Sequence, residues 1–328
     1  MPPVGEGGYL MCLPTKEHLE DILGLQVLAT NPLVVDNGGA HSRIFRVRTS
    51  RADYVLRMPK GRQGWHTAYL PETVDVGNWF DQRWATSVAH GLSIPAPEIV
   101  HSDRERGFVL MKQLPGEYIA DYEQWAGCPY DEAEFGVILS RLHSVSVGGY
   151  GPVDDAGATY FEGWPDFLAA AAAQLMDACS RRGSIGDDLH ALLRRRWYPR
   201  LRELALGRAA LLHMESLGFA NILYDAASRA ITGFIDYEDC IGGDPLYEFT
   251  WMAYYLGDRD GAGPYFDYAQ FEKGYGPLPR DDRAVRLYRA FPYLEKLSWI
   301  NAGTARADHH REALGQLCRA LGADGAGI

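Results

Sequence analysis

The chain has 328 residues, 47% of them hydrophobic and 23% charged, and a formal net charge of −11. These proportions exclude collagen-like, disordered and disulfide-scaffold chains, and no run reaches the ~20 apolar residues of a membrane span. The acidity disfavours nucleic acid, whose phosphates it repels, and the five scattered cysteines, without a CxxC pair, point to reduced thiols in the cytoplasm and away from a zinc site.

Length predicts two lobes, because 328 residues sit at the upper edge of what one core supports. Residues 1–14 read as a loose leader without the basic and apolar regions of a secretion signal, and an amphipathic helix is expected over 16–28. Three β-rich runs follow, 33–36, 42–49 and 53–58, separated by the turns Asp36-Asn37-Gly38-Gly39 and Ser50-Arg51-Ala52. A helix over 76–90 is closed by Gly91 and by Pro95 and Pro97. Strands over 98–102 and 107–111 flank a charged turn. Beyond Pro115-Gly116 helical periodicity takes over, in 130–143, 164–179, 187–205, 246–255 and 282–321. One β interruption breaks it, with strands over 210–213, 221–224 and 231–236. Strands gathered first and helices second indicate an α+β chain, with a β-rich N-terminal lobe over 1–111 and a mainly helical C-terminal lobe over 112–328.

Chemistry concentrates between Leu211 and Phe249. A strand ends at His213, a polar loop runs to Asn221, and a hairpin of apolar strands ends at Asp236. An amide oxygen and a carboxylate thereby come to one end of a small sheet. These are hard oxygen donors of the kind that hold Mg²⁺ and, through it, nucleotide phosphates. Taken singly, Asn221 would cap a turn and Asp236 would end a strand. As an ordered set in a two-lobed chain they point to phosphoryl transfer.

The stretch resembles the active-site core of the aminoglycoside phosphotransferase family, small-molecule kinases with a protein-kinase-like fold. That family's signature runs His-x-Asp-x4-Asn, a hairpin, Ile-Asp-aromatic, then Gly-Asp-Pro into a helix. This chain has His213, Asn221, Ile235-Asp236-Tyr237 and Gly243-Asp244-Pro245. Gly38-Gly39-Ala40-His41-Ser42 is similar to the Gly-rich turn that covers the phosphates, and Arg57 to the phosphate-contacting base of the following strand. The segment 108–116 resembles the hinge, where backbone near Met111 and Gln113 would hold the base of the nucleotide. The resemblance implies ATP or GTP as cofactor and Mg²⁺ on Asn221 and Asp236. It implies a hydroxylated, cationic antibiotic as the small-molecule partner, with resistance by modification. It also implies that His213 buttresses the catalytic loop by hydrogen bonding, and that Asp244 holds backbone amides beneath it.

Three positions depart from the pattern. The phosphate-strand base is Arg57 and not lysine; arginine still bridges phosphate oxygens, and bidentately, with Lys60 as the alternative. The helix carboxylate expected to pair with it is not a Glu, and Asp81 is the candidate. The catalytic Asp should stand two after the His and five before the Asn. Those counts give Glu215 and Ser216, because the loop is one residue longer. Glu can accept a proton on its longer arm and Ser cannot near neutral pH, so Glu215 is the expected base. Two other functions stay open: a metabolite kinase acting on choline, a sugar or an amino alcohol, and a nucleotide-binding module without turnover. Between Asp236 and Asp267 eight acids stand against one base, Arg259. Such a run suits a solvated face, or the attraction of an amine-bearing substrate.

Overall fold

In the computed structural model, residues 13–33, 42–59, 82–103, 105–118, 127–214, 221–256, 266–278, 281–300 and 302–323 are described. The first element of the described residues is α1 (Lys16–Leu23), whose N-terminus is capped by the Thr15 hydroxyl and whose end is set by Gly24 in the left-handed region. The helix is therefore shorter than the expected 16–28. The residues that follow are claimed by pairing, since β1 (Val27–Pro32) lies against β2 (Ser42–Thr49). The strand expected at 33–36 is thus realised a few residues earlier; Leu33 adds one more bond to the ladder, and 34–36 lie outside the described residues.

With β3 (Asp53–Pro59), β4 (Ile99–Asp103) and β5 (Phe108–Lys112), these strands form an antiparallel sheet in the order β1-β2-β3-β5-β4. Tyr54, Leu56 and Met58 alternate into a core with Leu19, Val27, Val47, Phe108 and Leu110. The two-residue period of a strand then turns Arg57 to the opposite face. Helix α2 (Arg83–Gly91) interrupts the sheet in sequence, yet its Ala85 and Ala89 belong to the larger, C-terminal core.

That second core is built by α3 (Glu132–Ser144), α4 (Trp164–Arg181), α5 (Asp187–Leu192) and the later helices α6 (Pro245–Leu256), α7 (Tyr268–Tyr275), α8 (Asp282–Tyr288), α9 (Ala290–Trp299) and α10 (Ala305–Ala323). The helix expected over 187–205 is three pieces: α5, a π turn over Leu193–Trp197 and a 3-10 stretch over Tyr198–Glu203. Pro199, which offers no N–H and crowds the preceding turn, marks the last change. The run 282–321 likewise divides into α8, α9 and α10.

Of a second sheet only the strand over 210–213 was expected, because the other strands are short. It is made of β6 (Ser146–Val147), β7 (Tyr150–Val153), β8 (Thr159–Phe161), β9 (Ala209–His213) and β12 (Cys240–Gly243), ordered β6-β9-β12-β7-β8. A separate hairpin, β10 (Ile222–Tyr224) and β11 (Ile231–Phe234), lies between β9 and β12 in sequence. The linker after β5 docks on it: Glu117 and Tyr224 exchange both backbone hydrogen bonds at 2.9 Å, and the Thr232 hydroxyl donates to the Pro115 carbonyl at 2.8 Å. Gly116 permits this approach, since it has φ +118° and a Cβ there would overlap Thr232 Oγ1. Among the described residues no helix is long and apolar enough to cross a membrane.

Candidate active site

Strand ends bring the site together. His213 closes β9 opposite Cys240, the first residue of β12. In the hairpin, Ile222 pairs with Phe234, and the Ile235 N–H donates to the Asn221 carbonyl at 2.9 Å. Asn221 and Asp236 therefore occupy neighbouring positions at the open end of the ladder. The Phe234 N–H donates to the Pro95 carbonyl at 2.7 Å, which ties the hairpin to the segment after α2.

At Asp236 the backbone turns left-handed, with φ 75° and ψ 50°, a conformation that costs a residue with a Cβ about 1 kcal/mol or more. It converts the strand into a 3-10 turn over Tyr237–Asp239. Gln82, just before α2, fixes that turn by accepting the Tyr237 N–H at 3.1 Å.

Arg57 crosses from the N-terminal sheet to this turn. Its Nη1 donates to Asp236 Oδ1 and its Nη2 to Glu238 Oε1, each at 2.5 Å, and its Nε donates to Ser42 Oγ at 2.9 Å. Burial works against the guanidinium charge, but Asp236 and Glu238 outweigh it and raise its pKa above the ordinary value. The Glu238 side chain is only 8% exposed, and its second oxygen, Oε2, is buried without a hydrogen-bond partner. Burial pushes its carboxyl up while Arg57 opposes the shift. Neither Glu238 nor Gln82 stands out in the sequence; the available signal was a Glu two residues past Asp236, inside a run that suits a solvated face.

His213 is fully buried between the rings of Phe234 and Tyr237, with centroids at 4.7 and 4.6 Å. Neither ring nitrogen has a hydrogen-bond partner among the described residues, and the loop that His213 is expected to buttress lies outside them. Burial lowers its pKa against the pull of Glu248, Asp236 and Asp239, which keeps the ring neutral. Its backbone N–H donates to Glu248 Oε2 at 3.1 Å. The same oxygen accepts from His143 Nε2 at 2.9 Å, and His143 Nδ1 meets the Tyr275 hydroxyl at 2.9 Å. Glu248 thus holds the backbone amide at the start of the loop. Asp244 instead caps its own helix, accepting from the Leu246 N–H at 3.0 Å and the Tyr288 hydroxyl at 2.8 Å. Burial raises the Asp244 carboxyl, and these two bonds oppose the rise.

In the hinge, Met111 is buried in mid-strand between Val55 and Ile99. The N–H groups of Lys112 and Gln113 are bonded within the sheet, to the carbonyls of Glu98 at 2.9 Å and Asp53 at 3.1 Å. Gln113 Oε1 accepts from Arg46 Nε at 2.9 Å. Gly38, Gly39, Lys60, Asp81, Glu215 and Ser216 lie outside the described residues.

A β-sheet lobe followed by a mainly helical lobe, with Arg57 of the first meeting Asp236 of the second, is the architecture of the two-lobed kinases. Residues 33–288 match the model of the phosphotransferase enzyme family, and the chain belongs to that family of enzymes. It is similar in fold to a thermostable mutant of aminoglycoside phosphotransferase APH(4)-Ia in ternary complex with AMP-PNP and hygromycin B (TM-score 0.61, 19% identity, 95% of this chain and 99% of that one). It is also similar to the apoenzyme of macrolide 2'-phosphotransferase MphH from Brachybacterium faecium (TM-score 0.54, 18% identity, covering 92% and 95%). A candidate fructosamine-3-kinase from Haemophilus somnus 129PT is a third (TM-score 0.59, 13% identity, covering 92% and 96%). No curated protein sequence matches the chain.

Proposed function

We propose that this phosphotransferase moves the γ-phosphoryl group of ATP or GTP to a hydroxyl of a small-molecule antibiotic, giving resistance by modification. The observation that carries the reading is the contact of Arg57 with Asp236, in which a cation on the sheet meets a carboxylate standing beside Asn221. Asn221 and Asp236 fit Mg²⁺: both offer hard oxygen, and the carboxylates of Asp236, Glu238 and Asp239 exceed the charge of Arg57. Bound there, Mg²⁺ would neutralise phosphate charge. Gly38, Gly39 and Ser42 cover the phosphates, Arg57 contacts them, and backbone near Met111 and Gln113 flanks the base. Glu215 accepts the proton of the attacking hydroxyl, with Ser216 as the competing position and His213 holding the start of the loop. Catalysis is then positioning and charge neutralisation without a covalent intermediate.

Support for an antibiotic acceptor comes from the fold likeness to two antibiotic phosphotransferases; the acidic run after Asp236 adds none, because Glu238, Asp239 and Glu248 are buried in it. The nearly equal likeness to the candidate fructosamine-3-kinase favours a metabolite kinase as the second reading. A panel of aminoglycosides, macrolides, sugars and amino alcohols, scored by nucleoside diphosphate release, separates the two. Turnover with an antibiotic is expected, and Asp236→Ala should abolish it while circular dichroism stays unchanged. Turnover with metabolites alone would establish the second reading, and normal turnover in Asp236→Ala would remove that residue from the site.

A further inference from the structure

Arg57 is held at three points, and they come from different parts of the chain. Ser42 lies on the neighbouring strand, whereas Asp236 and Glu238 lie two residues apart on the turn after β11. The two carboxylates are not equivalent. Asp236 is 23% exposed and stands beside Asn221, where a ligand would reach it; Glu238 is 8% exposed. The turn that carries both is fastened from below by Gln82 and by the Tyr237 ring against His213. A guanidinium is a planar fork, so fixing one Nη and Nε fixes the direction of the other Nη.

We propose that Glu238 is the positioning residue of Arg57: it keeps Nη2, so that Nη1 holds its direction and meets the nucleotide phosphates when the Asp236 carboxylate turns away from it. Asp236 is then released for its own ligand at the moment the nucleotide arrives. This rests on the nucleotide reading given above. Without the charge of Glu238, the guanidinium falls wholly to Asp236, and the pair competes with the nucleotide. That loss outweighs the relief of removing one negative charge, because the carboxylate is buried against Arg57 and screened by it.

The test is calorimetric titration of MgATP and MgGTP into wild type, Glu238→Gln, Arg57→Lys and the double variant, with melting temperatures alongside. Glu238→Gln should bind the preferred nucleotide about 10-fold more weakly with its melting temperature nearly kept. In the Arg57→Lys background, where a single ammonium cannot span both carboxylates, the same change should cost less than about 2-fold. Glu238→Asp, which keeps the charge on a shorter arm, should fall between wild type and Gln and serves if Gln lowers the yield of folded protein. Affinity in Glu238→Gln equal to or tighter than wild type, or full additivity with Arg57→Lys, overturns the inference alone. A wild type that binds neither nucleotide overturns the nucleotide reading, and the inference with it.

Discussion

The acceptor hydroxyl loses its proton to a group within hydrogen-bond reach, and burial disfavours His213 for that role. Its ring is buried, neutral and packed between two aromatic rings. The proposed base lies in the loop that follows, where Glu215 offers a carboxylate and Ser216, which shares the count, offers only a hydroxyl. Glu215→Gln keeps size and hydrogen bonding but loses the acceptor, so kcat should drop about 10²- to 10⁴-fold with nucleotide affinity little changed. Ser216→Ala should stay within a few-fold of wild type. A silent Glu215→Gln with a crippled Ser216→Ala would reverse the assignment; two silent variants would turn attention to Asp239. Arg57 was legible at this scale through the resemblance of its strand to the family's phosphate-contacting strand, and the alternation of Tyr54, Leu56 and Met58 into the core accounts for the face it takes. Glu238 was not, because a buried acid beside a guanidinium and a solvated acid are written with the same letter.

Between elements, backbone proximity links the site to the helices behind it. Tyr275 of α7 meets His143 of α3, His143 meets Glu248 of α6, and Glu248 accepts from the backbone of His213. That chain needs α3 and α7 nearly in contact, and two glycines allow it. A Cβ on Gly136 would overlap the Phe271 carbonyl oxygen, and one on Gly274 would overlap that of Ala133. Gly274→Ala should therefore destabilise the fold despite the better helix propensity of Ala, by about 1–3 kcal/mol or more in urea unfolding. Gly303→Ala, where a Cβ meets nothing within 4 Å, is the control and should change little. Equal stability in both variants would mean that the helices separate without cost. Helix α7 itself went unseen in the sequence, although Asp267 caps it through the Ala269 and Gln270 N–H groups. The strands β6, β7, β8 and β12 went unseen because two to four residues show no alternation.

Across the whole molecule, the two-lobed order was legible because segregated strand and helix patterns survive errors at their boundaries, whereas the tertiary burial of single charges leaves no trace in pattern. Glu295 is such a charge. It sits on α9 inside the C-terminal core, 1% exposed, far along the chain from any motif. Burial raises its carboxyl from 4.5 to about 7, against the pull of Lys296 at 3.1 Å and of Arg306 and with a further push from Asp239. A carboxyl whose folded pKa lies above its unfolded one stabilises the fold fully below the unfolded value, and that contribution drains as pH rises through the folded value. Wild type should therefore lose stability relative to Glu295→Gln between pH 4.5 and about 7, with no further divergence above it. The gap at pH 8 should be on the order of 3 kcal/mol in favour of Gln, and it should close near pH 4. Urea unfolding of both proteins across that range measures it. If Glu295→Gln is instead the less stable protein at pH 8, the ion pair with Lys296 outweighs the cost of burying the carboxylate, and Glu295 is ionised in the core at neutral pH.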